Sequence, residues 1–377
     1  MGDDGGVSLR PADTDVPLTE RPPTRRAGVM AATGLIAALA IATLTVAPAP
    51  FAIAQAGPTF DTLGMHGDEP VVDIYGMPTY DSSGELRLTT VSFSRAGSRP
   101  FTVGRVLAGY LSSDETVSPQ EFIFGTSQQQ EQQAEHNQQE WVTSQESATV
   151  AALNALGIEV PATVTVAEVS PWSTAADLLR SGDVLTSIDG APLVTYTDLS
   201  DALDGRHPGD PITVGIARAG VASEVSFTLV DDPDNPGPGR MGIFVVPTFD
   251  LPIVVNVAID EVSGPSGGLM FALAIMDKLT AADEAGGAHI AGTGVIDIDG
   301  QVSPIGGIDH KMRGARDAGA TSFLAPLENC PEVVGHVPHG LNVYAVDTLA
   351  DAYAAMVAIG KHNTADLPTC ASVAAKE

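Results

Sequence analysis

The chain has 377 residues, with 47 acidic and 18 basic side chains, two cysteines and a formal charge of −29. That length exceeds one ordinary domain, and 44% hydrophobic residues supply packed cores rather than a disordered chain. So acidic a surface repels phosphate backbones, which excludes nucleic-acid binding, and two cysteines cannot build a disulfide-rich scaffold or a four-thiolate zinc site.

Residues 1–26 are polar and rich in Pro and Asp, and read as a disordered tail. Arg21, Arg25 and Arg26 then precede an uncharged stretch whose apolar part, 27–47, is long enough to cross a bilayer as a helix. Arginines on the N-terminal flank orient that end toward the cytoplasm and the remainder outside. The length of the run favours a retained anchor. The alternative is a cleaved signal peptide, with small residues at Ala52-Ile53-Ala54 and Ala54-Gln55-Ala56. Nearly all the negative charge then belongs to the extracytoplasmic part.

Beyond the anchor, Leu86–Phe93 alternates and predicts a strand. Ser127–Glu146 is rich in Gln and Glu, interrupted by His136 and Trp141, and predicts a solvated helix running into Ala148–Leu156. Residues 57–156 are expected to associate with the C-terminal domain. Short strands with turns at 181–183, 189–190 and 208–210 then predict a compact β-rich unit over 157–232, and DDPDNPGPGR (231–240) reads as a linker. Ser170-Pro171, Ala175, Leu178, Gly182-Asp183-Val184-Leu185, Ile188, Asp189-Gly190 and Leu193 give this unit a resemblance to bacterial PDZ domains. Such a domain captures an extended peptide along a sheet edge. The resemblance implies a groove between the strand near Thr163–Val166, with Val164, and the helix near Thr197–Leu203. Leu156-Gly157-Ile158 is the candidate carboxylate-binding loop. A spacer without a ligand is the bland alternative.

The C-terminal part, 241–370, is predicted as α+β. Its strands fall at Gly242–Val246, Pro252–Ala258, Gly294–Ile298 and Leu341–Val346, with helices near Ser266–Thr280, from Asp309 and at Leu349–Ile359. In EVSGPSGGLMFALAIMDKL a Gly-Pro-Ser-Gly-Gly turn (264–268) opens a strongly apolar helix. Ser266 at a helix N-terminus can be a nucleophile beside backbone N–H groups, or simply a helix cap. Lysines are scarce (Lys278, Lys311, Lys361 and Lys376), and none stands in the Gly-Lys-Ser/Thr context of a nucleotide phosphate loop, so a P-loop ATPase is excluded. Lys311 follows Pro304-Ile305-Gly306-Gly307-Ile308, 45 residues after Ser266.

Together these segments resemble the proteolytic domain of Lon-type proteases, and the whole arrangement resembles the membrane-anchored PDZ and Lon-domain proteins of actinobacteria and other Gram-positive bacteria. The resemblance implies a multidomain chain: an N-terminal transmembrane helix, a PDZ-like β-rich domain and an α+β Lon-type proteolytic domain. It implies an ATP-independent serine endopeptidase in which Ser266 attacks and Lys311 is the base. Gly264, Pro265 and Gly267 would form the nucleophile and oxyanion loop, with Thr293, Gly306 and Gly307 in support. Ser263 stands where the family carries an aspartate. The implied partners are polypeptide substrates and the membrane, with self-assembly as in related rings; no ATP, cofactor or metal is expected. A lysine titrates at about 10.4 in water, so a base acting near neutrality requires desolvation. Two rivals remain at this point: a non-catalytic PDZ adaptor with a decayed protease domain, and a G-x-S-x-G esterase using Asp347 and His362. Cys330 and Cys370 share the exported C-terminal domain and are expected to pair, two buried thiols being the alternative.

Overall fold

The computed structural model describes residues 25–95, 102–124, 127–233, 237–259 and 262–375. Of the expected disordered tail at 1–26, residues 1–24 lie outside the described residues, while Arg25 and Arg26 open the first helix.

Helix α1 (Arg25–Val46) is exposed along its length and is long and apolar enough to cross a membrane. Strands β1 (Phe51–Asp61), β2 (Met65–His66), β3 (Glu69–Pro70), β4 (Val72–Tyr75) and β5 (Glu85–Arg95) follow, then α2 (Val103–Leu111), β6 (Thr116–Pro119), α3 (Gln120–Phe124) and the long α4 (Ser127–Ala155). The Gln-rich helix is not solvated throughout. Its C-terminal half carries Trp141, Ala148, Ala151, Ala152 and Leu153 into the core, and Trp141 meets Phe271 edge-on at 5.3 Å.

The PDZ-like unit contains β7 (Ala162–Val169), β8 (Val184–Ile188), β9 (Ala191–Pro192), α5 (Tyr196–Leu203), β10 (Pro211–Arg218) and β11 (Val221–Thr228). Thr195 and Asp198 cap α5 reciprocally. The sheet order is β11-β10-β8-β7-β12, where β12 (Ile243–Phe249) comes from beyond the linker. Strand β12 pairs antiparallel with β7 over seven positions, Ile243 opposite Val169 through Phe249 opposite Ala162. The unit therefore does not end at 232: its last strand lies on the far side of the stretch read as a linker.

Strand β13 (Val254–Val257) pairs with β4, and a 3-10 turn at Pro265–Gly267 leads into α6 (Gly268–Leu279). Then come β14 (His289–Gly292), β15 (Val295–Ile296), β16 (Val302–Ser303), α7 (Ile308–Asp317), β17 (Ser322–Pro326), α8 (Cys330–Val333), β18 (Asn342–Val346), α9 (Leu349–Gly360) and α10 (Cys370–Ala374). The main sheet runs β18-β17-β14-β5-β1-β6. Its β18, β17, β14 and β5 are mutually parallel, and β5-β1-β6 antiparallel, so the early segment supplies half of the sheet. The strand expected at Gly294–Ile298 is displaced. The sheet strand is His289–Gly292, and Val295–Ile296 forms only a two-residue ladder with Val302–Ser303. Gly294 breaks the run, packed so closely on Val302 and Leu269 that a Cβ would stand 2.9 Å from Val302 Cγ1. Helix α6 is buried from Gly268 to Asp277 between α4 and the sheet, which explains its continuous apolar sequence.

Candidate active site

The Gly264-Pro265-Ser266-Gly267 turn is fixed from three sides. Gly264 adopts φ 87°, which glycine tolerates without strain, and its N–H donates to the Asn137 carbonyl at 3.1 Å. Pro265 starts the 3-10 turn, where its fixed φ fits and its missing N–H costs nothing, and its carbonyl accepts Ser144 Oγ at 3.0 Å. Gly267 is buried where a Cβ would stand 2.8 Å from Leu88 Cδ1. The turn positions Ser266 just before α6, whose N-cap Gly267 makes no side-chain capping bond. Ser266 is thus not the helix cap, and its hydroxyl is turned toward Lys311.

Lys311 projects from the first turn of α7, which begins after Gly307 in the left-handed conformation, φ 70°. That bend sets Gly307 against Val91, where a Cβ would approach Cγ2 to 2.9 Å. Lys311 Nζ donates to Ser266 Oγ at 2.8 Å and to Thr293 Oγ1 at 2.8 Å. Thr293 Oγ1 in turn donates to the Ser266 carbonyl at 2.9 Å, an oxygen that also accepts the Gly294 N–H at 2.9 Å. Lys311 is 3% exposed and Thr293 fully buried. Desolvation alone lowers the lysine from 10.5 to about 7. The neighbouring His310 ring meets Thr116 Oγ1 at 3.1 Å and so fastens α7 to β6.

A cleft of about 760 Å³ contains Ser266, Lys311, Gly306, Gly307 and Ser263, walled by Val91 and Phe93 of β5. At Gly306 a Cβ would meet nothing within 4 Å, so this glycine leaves the floor open. Neither Asp347 nor His362 lines this cleft. Among the described residues no cluster of His, Cys, Asp or Glu has the makings of a metal site. The two cysteines are joined, Cys330 to Cys370.

The residues expected to bind peptide do not come together in one groove. Val164 is buried in the PDZ core, and β7 is paired on both sides, by β8 and β12, so it presents no edge. Leu156 and Ile158 are partly buried against the main core, and Gly157 makes the turn after α4. A cavity of about 980 Å³ instead lies between α5 and the outer edge of β12. Leu199, Leu203, Arg240, Gly242, Ile243 and Phe244 line it, and Asp299 of the C-terminal domain closes one side by accepting Ser200 Oγ at 2.8 Å. Sequence reading missed this because β12 is separated from β11 by a loop with linker composition. Ser144 was missed as well, since a serine on a Gln-rich helix gives no sign of its distant partner.

The model of the Lon protease (S16) C-terminal proteolytic domain matches residues 254–358, and that of the PDZ domain matches residues 134–229. Lon protease from Roseiflexus castenholzii is 37% identical over 84 residues, 22% of this chain and 10% of that one. Lon protease 1 from Sorangium cellulosum is 35% identical over 108 residues, covering 28% and 13%. The chain thus spans about a tenth of the length of the curated relatives it matches. The solved PDZ domain of the SdrC-like protein from Listeria innocua is 27% identical and covers 22% of this chain and 92% of that chain, with a TM-score of 0.21. The turn carrying Ser266 and the helix carrying Lys311 both fall within the matched proteolytic segment, and this chain carries a Lon-type C-terminal proteolytic domain together with a PDZ domain.

Proposed function

We propose that this chain is a membrane-anchored serine endopeptidase that works without ATP and takes extended polypeptide segments. The observation that carries it is Lys311 Nζ at 2.8 Å from Ser266 Oγ in a buried setting that lowers its proton affinity to near neutrality. As a neutral amine, Lys311 accepts the Ser266 hydroxyl proton while still donating to Thr293 Oγ1. Ser266 Oγ then forms a bond to the scissile carbonyl carbon. The charge developing on the carbonyl oxygen is favoured by the dipole at the N-terminus of α6. Lys311 returns the proton to the leaving amine as the C–N bond breaks. It next takes a proton from water, whose oxygen attacks the ester carbonyl, and it hands that proton to Ser266 Oγ as the ester C–O bond breaks.

Helix α1 supports anchoring, and arginines on its N-terminal side support a cytoplasmic N-terminus with the cleft outside. Nothing in these 377 residues has the phosphate loop of an ATPase, which favours flexible substrates over stably folded ones. The open edge of β12 facing α5 is the surface on which a peptide would add as a further strand. The test is cleavage of an unfolded polypeptide by the full chain in detergent without nucleotide. Wild type is expected to cut and Ser266→Ala to fall to background; equal cleavage by the two would overturn the reading.

A further inference from the structure

Helix α2 turns an apolar face outward. Leu107, Tyr110 and Leu111, at i, i+3 and i+4, are 49%, 60% and 89% exposed, whereas Val106 and Gly109 face inward. A surface helix ordinarily shows polar residues there. Its one charged side chain, Arg105, is held by both oxygens of Glu115 at 2.7 and 2.8 Å, so no charge of the helix interrupts the face. Phe122 of α3 is also 86% exposed.

These residues stand at the foot of α1. The Val103 N–H donates to the Ala47 carbonyl at 3.1 Å, Thr102 bridges Pro48, and Gly104 lies so near Leu44 that a Cβ would come within 2.9 Å of its carbonyl oxygen. The Gln120 N–H donates to the Pro50 carbonyl at 3.0 Å, so α3 springs from the same place. Apolar side chains with a tyrosine, fixed where a membrane helix ends, suit the interfacial level of a bilayer. The same stretch also reaches the cleft, which Thr116, Ser118 and Ile123 help to line.

We propose that α2 and the tip of α3 lie on the lipid surface at the foot of α1, so that the cleft holding Ser266 opens beside the bilayer. Its substrates are then polypeptide segments just leaving the membrane. This rests on the anchored-protease reading above.

The test uses the full chain in phosphatidylcholine vesicles. Because the two cysteines are bonded to each other, a single introduced cysteine can carry a spin label. Labels at Leu111→Cys, at Leu39→Cys within α1 and at Val221→Cys on the outer hairpin of the PDZ sheet are compared for access to oxygen and to a water-soluble nickel chelate. The Leu111 label is expected to favour oxygen, as the Leu39 label does. Behaviour like that of Val221, or shielding from both reagents as in a protein contact, would overturn the proposal. A Leu39 label in water would mean that the anchor reading itself had failed, and the proposal with it. In a second arm, Leu107→Gln with Leu111→Gln should slow cleavage of a lipid-tethered peptide about tenfold while leaving the same peptide in solution unaffected. Equal loss on both, or on neither, overturns it. Absence of all cleavage by wild type counts against the protease reading, and the accessibility result then decides the docking alone.

Discussion

Thr293 holds Ser266 from behind, its hydroxyl donating to the Ser266 carbonyl at 2.9 Å while its own oxygen accepts Lys311 Nζ. One side chain therefore bonds to both Ser266 and Lys311, the two groups proposed to exchange a proton. Thr293→Val keeps the shape and removes both bonds. We expect kcat to fall about 100-fold, as for small misplacements of reacting groups, with KM little changed and Thr293→Ser largely restoring the rate. A valine enzyme of normal kcat would remove Thr293 from the site.

In the proposed mechanism Lys311 acts as a neutral amine, and burial places the loss of its proton at about 7. Cleavage should rise with pH through 7 and level above it. The same shift affects stability. Between about 7 and 10.5 the unfolded chain holds a proton that the folded one has released, so stability from this site rises with pH across that window, by up to about 1.4 kcal/mol per pH unit. At or below 7 the whole burial cost is present. Lys311→Met should therefore abolish cleavage yet stabilise the fold at pH 6, on the order of 3 kcal/mol, read from urea unfolding. A destabilised methionine variant would count against a desolvated lysine.

Gly307→Ala asks alanine to adopt φ 70° with its Cβ 2.9 Å from Val91 Cγ2. The conformation alone costs about 1–2 kcal/mol, and the start of α7 must shift to relieve the contact. Thermal unfolding should move down and cleavage should fall further than stability does. Gly306→Ala is the control on a neighbouring glycine with open space around it. Equal effects of the two would argue against the packing explanation.

The Cys330–Cys370 bond closes a loop with a sequence separation of 40 and joins α8 to α10. Loop entropy assigns such a link about 4 kcal/mol. Replacing both cysteines by serine should lower the unfolding temperature while leaving the pH profile of cleavage in place. No change in unfolding temperature would show that the link adds nothing to the fold.

Much of this was legible in the chain because the chemistry sits in short contiguous turns. Gly264-Pro265-Ser266 and Gly306-Gly307 with Lys311 each specify a bend followed by a helix, and such signals survive without tertiary context. The single long apolar run at the N-terminus is equally local. What escaped is non-local. Strand β17, SFLAP, is buried at every position and so lacks alternation, as expected for a parallel strand inside a sheet. Strand β14 is only four residues long and starts five residues before the strand expected at Gly294–Ile298. Ser144 and the groove at β12 depend on which distant segment folds back, which residue spacing does not record.

That fold-back has a practical corollary. Strand β12 finishes the PDZ sheet and then runs directly through β13 toward Ser266, so neither unit can be cut out at a single point. A fragment ending at 232 would leave the edge of β7 bare and inclined to pair with other chains. A fragment beginning at 241 would lack β5, β1 and β6, half of its own sheet. The two units are thus parts of one interlaced polypeptide, and a truncation meant to isolate either would report on a damaged form of both.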